Sequence, residues 1–157
     1  MLLLWASLAA APAHALCVGV CSCGVTTSNL LFGNINPLQS SNTDSTGSVT
    51  VSCGGVVGLL VPVTVDLSKG SGTSFANRSM GSGANRLRYN IYADSARTQV
   101  FGDTTNSTVD GGGFISLNAL GLGPTVTVNL YGRVWGSQTT VVPGTYADSL
   151  TVTLTYY

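Results

Sequence analysis

From Tyr146 to its end the sequence alternates. Tyr146, Asp148, Leu150, Val152, Leu154 and Tyr156 fall on even positions, and every odd position from 149 to 155 is Ser or Thr. Successive side chains of a strand point to opposite faces, so residues 146–156 form a ribbon with one apolar and one hydroxyl face. Thr, Val and Tyr suit a pleated surface, and Pro143-Gly144 supplies the turn before it. A half-buried strand is expected, with no further strand after it to cover its edge. Such an edge either lies guarded inside a closed sandwich or templates pairing with another chain.

Upstream, the same period recurs in short pieces. Ser48-Val49-Thr50-Val51-Ser52 reads as a strand, residues 59–67 as another, and Leu87, Tyr89 and Ile91 mark one face of a third. Val126, Val128, Leu130 and Gly132 share a side in residues 125–135. Within residues 24–38 a strand is expected to break at Gly33, before Asn36-Pro37 forces extension and a turn. Pro62 removes one ladder bond, which places its strand at an edge or a bend there. Residues 39–47 and 68–84 read as polar Gly/Ser loops, residues 100–103 as a short extended piece, and 114–120 are weakly patterned. No segment has helical period. Many short strands between Gly, Ser, Asn and Pro loops predict an all-β antiparallel sandwich.

Residues 2–11 are apolar or small and lead through Pro12 to Ala13-His14-Ala15. A short apolar run ending in an A-x-A site reads as a secretory signal over residues 1–15, leaving one domain over residues 16–157. The run is too short for a retained membrane span, although the basic residues that usually open such a signal are missing. Of 157 residues only six are acidic and six basic, so no charged footprint for nucleic acid is present. A nearly uncharged surface favours association over mutual repulsion.

The four cysteines are Cys17, Cys21, Cys23 and Cys53. In an exported chain they imply two disulfides, and three connectivities are open. A Cys23–Cys53 bridge would tie the first strand to the second, worth roughly 3–4 kcal/mol in loop entropy. Cys17 and Cys21 would then pair. Four extended residues separate them by about 13 Å, so Gly19 would have to make a turn. The cluster is also metal-ligand material, but the spacing is not C-x-x-C and His14, the single histidine, leaves with the signal. No metal or cofactor is expected.

A Gly fourteen residues from the end, the alternation and the penultimate Tyr together resemble the last strand of chaperone–usher pilus subunits. More broadly the chain resembles the spore coat protein U domain family, whose members include subunits of archaic chaperone–usher pili. The matching residues are Cys23, Phe32-Gly33, Pro37 and residues 47–53, then Arg78-Ser79-Met80 and Leu87-x-Tyr89-Asn90-Ile91-Tyr92-x-Asp94. Gly102-Asp103, Tyr131-Gly132-Arg133-Val134 and Pro143-Gly144-x-Tyr146-x-Asp148 complete them. Phe101 and Ile35 depart from the usual aromatic residues of the family but stay apolar. The resemblance implies an immunoglobulin-like sandwich lacking its final strand, completed by a strand from a periplasmic chaperone or a sister subunit and exported through an outer-membrane usher to a surface fibre or coat. It places Val25, Leu31, Phe32, Leu150, Val152, Leu154 and Tyr156 along the groove for that strand. The front segment, residues 16–22, spans at most about 25 Å and offers Leu16, Val18 and Val20, a thin donor. A fibre tip or other terminus is therefore expected.

Two other classes compete. Catalysis is not expected: the mature chain lacks His, its Asp residues are scattered, and no Gly-rich loop joins a strand to a helix. A self-sufficient secreted adhesin or carbohydrate-binding module would use Trp135, Tyr89, Tyr92 and Tyr131 as an aromatic platform with Arg86, Arg88 and Arg133 as donors, although strand aromatics usually belong to the core.

Overall fold

Alternating apolar positions close the chain into two facing antiparallel sheets. The computed structural model describes residues 21–157. Its strands are β1 (Cys21–Ser28), β2 (Thr43–Gly55), β3 (Leu60–Leu67), β4 (Arg78–Ser82), β5 (Asn85–Tyr92), β6 (Gly111–Ser116), β7 (Val126–Val134) and β8 (Val152–Tyr156). One sheet runs β1-β2-β7-β5-β4 and the other β6-β3-β8. Apart from one 3₁₀ turn, Phe75–Asn77, the described residues contain no helix, so none is long and apolar enough to cross a membrane. The expected signal, residues 1–15, lies outside the described residues.

The core lies between the sheets. Val49 and Val51 of β2 face Val61, Val63, Val65 and Leu67 of β3, joined by Leu87, Tyr89 and Ile91 of β5 and by Leu130 and Val134 of β7. Each aliphatic side chain buried this way stabilises the sandwich by about 1.5–3 kcal/mol. Cys23 stands directly opposite Cys53 in the β1–β2 ladder and the two form the expected disulfide, with Cα atoms 4.1 Å apart. Cys21 is also disulfide-bonded; the expected partner, Cys17, lies outside the described residues.

The structure departs from the sequence reading at several strand boundaries. β2 starts at Thr43, inside the expected loop 39–47, because Thr43 to Gly47 pair with Val134 to Leu130 of β7. There the ladder and a cross-strand Asp44–Arg133 ion pair hold a strand that lacks apolar alternation. β4 lies inside the expected loop 68–84, with Arg78 and Met80 turned inward. β1 ends at Ser28, before the expected break at Gly33. Pro62 sits in the middle strand of its sheet, yet β8 pairs with β3 only from Val63 to Leu67, so the proline faces no ladder on that side.

The largest difference concerns the last segment. The expected continuous strand over residues 146–156 is two pieces. Ala147 exchanges both backbone hydrogen bonds with Gly81 of β4, at 2.8 and 3.1 Å. By Thr151 the chain has moved to the other sheet, where its carbonyl accepts from the amide of Ser68 at 3.0 Å and β8 begins. The segment therefore straps the two sheets together. Its alternation survives the crossing: the even positions stay half-buried, and the odd positions through 153 are exposed.

Candidate functional site

Beside this strap the interior is open. β8 pairs with β3 alone among the described residues, and its other edge has no strand beside it. A cleft of about 510 Å³ lies between residues 27–32 and residues 146–152. Its floor is core: Val49, Leu67, Met80, Tyr89, Ile91 and Leu130. Val49, Val51, Val61 and Val65 on central strands are fully covered, whereas Leu150, Val152, Leu154 and Tyr156 are only partly buried against the same core. An apolar floor between two walls, with one strand edge unpaired, is the shape that strand addition fills.

The first wall is set by a missing side chain. A Cβ at Gly132 would lie 2.7 Å from Phe32 Cζ and closer still to Leu30 Cδ2. That space lets Leu30 and Phe32 cross over β7, and Phe32 meets Tyr89 edge-on with ring centroids 6.1 Å apart. The hydroxyl of Ser45 donates to the Leu31 carbonyl at 2.6 Å and fixes the segment from the other side.

The second wall is held by Asp148. Its Oδ2 accepts from the Tyr89 hydroxyl at 2.7 Å. Its Oδ1 accepts from Ser71 Oγ at 2.8 Å, the Ser71 amide at 3.0 Å and the Ser149 amide at 2.9 Å. One carboxylate thus joins the strap, β5 and the loop before β4. Burial, with the Asp148 carboxylate beside it, pushes the Tyr89 phenol well above its ordinary range, so it stays a neutral donor. Behind it Arg78 is fully buried and donates to Asn90 Oδ1 (3.0 Å), the Ser68 carbonyl (2.8 Å) and the Phe101 carbonyl (2.8 Å). Burial lowers its guanidinium to about 10, still charged at neutral pH.

Of the residues expected along the groove, Leu31, Phe32, Leu150 and Val152 line the cleft. Leu31 does so from the rim, 75% exposed, and its neighbour Leu30 packs inward instead. Val25 lies on β1 opposite Val51, away from the cleft lining. Leu154 and Tyr156 pair with Val65 and Val63 beyond the lining residues. The sequence does not declare the Asp148–Tyr89–Ser71 group; its signs are a lone acid among the apolar even positions and the presence of Asp148 and Tyr89 in the family-like fragments. The four aromatics that a binding module would have used do not form one exposed platform. Tyr89 and Tyr92 are buried, Trp135 lies under Arg88 and Tyr131 under Arg97. No group of three His, Cys, Asp or Glu positioned to hold a metal occurs among the described residues.

The family model of the Spore Coat Protein U domain matches residues 9–153. Among solved structures, the chain is similar to one in the CsuC-CsuE chaperone–tip adhesion subunit pre-assembly complex from the archaic chaperone–usher Csu pili of Acinetobacter baumannii. The TM-score is 0.53 at 20% identity, covering 86% of this chain and 39% of that one. This chain thus spans less than half the length of the one it matches, and the likeness is one of fold. No curated protein matches the sequence.

Proposed function

The chain belongs to the Spore Coat Protein U domain family, and from that membership and the open cleft we propose that it is a non-enzymatic structural subunit of a surface fibre or coat, completed by a strand from another molecule. The observation that carries this reading is β8, paired on one side only and flanking an apolar cleft. A strand laid between residues 27–32 and 146–152 would extend the β6-β3-β8 sheet and cover Leu150 and Val152. Until then the uncovered side chains and free edge favour aggregation, so the partners are a periplasmic chaperone first and a sister subunit afterwards, with an outer-membrane usher between them. The Cys23–Cys53 bridge suits an oxidising compartment, and a signal over residues 1–15 supplies the export route. Read from the front segment alone, residues 16–22, the place in the fibre is terminal.

The test is to complete the sheet within one chain. An alternating Val/Thr strand of eight residues is appended after Tyr157 through a short Gly/Asn linker. Covering the two aliphatic side chains Leu150 and Val152 at about 1.5–3 kcal/mol each raises the Tm by ~10 °C or more and gives a soluble monomer. An appended chain that melts and aggregates like the parent would refute strand acceptance.

A further inference from the structure

Away from the cleft, one end of the sandwich is apolar and bare. The β2–β3 turn carries Val56 and Val57, β3 opens with Leu60, and the loop after β6 carries Leu120 and Leu122; each of the five is 50–81% exposed. The two loops are laid side by side. The Gly55 amide donates to the Gly121 carbonyl at 2.8 Å, Gly58 to Leu117 at 3.0 Å and Leu117 to Leu59 at 2.8 Å, and Gly54 bridges Leu122. The Asn118 side chain accepts from the amides of Leu120 and Leu122 at 2.9 and 3.2 Å. Gly121 has φ +71°, and a Cβ there would collide with the Gly55 carbonyl. The loop is therefore built to hold Leu120 and Leu122 outward. Residues 45–65 and 111–132 contain no charged side chain. Scattered exposed aliphatics need no explanation, but five of them on two loops bonded to each other mark a contact surface.

Where the chain enters the fold identifies the occupant. Cys21, the first described residue, pairs with Gly55 at this same end, so β1 starts beside the patch. On the strand-acceptance reading, a front segment that enters another subunit's cleft brings that subunit against this end. We propose that Val56, Val57, Leu60, Leu120 and Leu122 form the seat for a second subunit of this fold, the one that receives the front segment. This rests on the strand-acceptance reading and deepens it. Leu16, Val18 and Val20 alone make a thin joint, and an apolar seat beside them supplies the rest. The inference thus favours a place within the fibre over a terminal one.

A photo-crosslinking residue placed at Leu120 in the full chain, assembled in its own host, is expected to trap residues 27–32 or 146–152 of a neighbouring subunit. The exposed double substitution V57S/L120S is expected to cut recovered polymer at least about tenfold. It should leave untouched the Tm gain from a strand appended after Tyr157, which shows that the fold and cleft survive. Crosslinks confined to the chain's own residues 16–22 would overturn the proposal. So would wild-type polymer levels from V57S/L120S, including the case where polymer forms normally and only attachment to other surfaces is lost. Absence of the Tm gain in the unsubstituted chain would instead strike at strand acceptance itself, so the two failures are distinguishable.

Discussion

Replacing Asp148 with Ala removes one acceptor from four donors at once. Three of them, the Ser71 amide and hydroxyl and the Ser149 amide, are close enough to solvent to find water. The fourth is the hydroxyl of Tyr89, whose residue is only 2% exposed. Stranding it costs about 1–3 kcal/mol, and losing the charge-assisted bonds adds about 1 kcal/mol, for a total near 2–4 kcal/mol. Tyr89→Phe alone costs less, about 0.5–1.5 kcal/mol, because it removes the buried donor and leaves only an oxygen of the half-buried Asp148 carboxylate, which keeps its three other donors. In the Tyr89→Phe background Asp148→Ala therefore costs only about 1 kcal/mol, and the cycle shows a coupling of about 1–3 kcal/mol. The assay is urea unfolding of the strand-completed chain, followed by Trp135 fluorescence for all four members. If Asp148→Ala costs less than about 0.5 kcal/mol, or costs the same in both backgrounds, the carboxylate does not hold the strap.

Other outcomes follow from the same geometry. Replacing Cys23 and Cys53 with Ala frees a loop of 30 residues, and chain entropy puts the loss at about 3.6 kcal/mol, measurable by denaturant midpoint. Asp66 has its carboxyl pKa raised by burial and by the nearby Asp110 and Asp103. Its folded form holds a proton more tightly than its unfolded form, so stability falls as pH rises from the unfolded value near 3.8 through the raised one. Asp66→Asn should thus be more stable than the parent at pH 7 and lose that advantage near pH 3, read from paired melts. Gly132→Ala drives a methyl into Leu30 and Phe32. It should cost about 1–3 kcal/mol and weaken strand binding in the appended chain more than Gly24→Ala, where nothing lies within 4 Å.

What could be read in advance was whatever carried period two. β3, β7 and the second half of β2 announce themselves because one face is more deeply buried than the other. Thr43 to Gly47 do not, since these residues gain their strand from β7 rather than from an apolar face. β4 hides for a related reason: its inward residues are Met80 and a buried Arg78, and no local pattern declares a guanidinium as core. At the cleft, Phe32, Leu150 and Val152 were legible as apolar residues on extended chain. Val25, which the family resemblance puts along the groove, pairs with Val51 on β1 and does not line the cleft, because a resemblance in sequence does not say how far along the sheet a residue lies. Asp148 escaped because its partners, Ser71 and Tyr89, are distant in sequence. The scattered fragments of the family resemblance nevertheless meet in space, where Arg78 bonds Asn90 and Tyr89 bonds Asp148.

The Cys23–Cys53 bridge also has a mechanical meaning. Tension applied through the front segment enters the sandwich at Cys21, and two residues later it reaches a covalent bond to β2, which is paired on both sides. The load bypasses the ladder from Gly24 to Ser28, so β1 need not unzip when the chain is pulled. A strand at the rim of a sheet becomes a tether whose grip is set by sulfur rather than by hydrogen bonds.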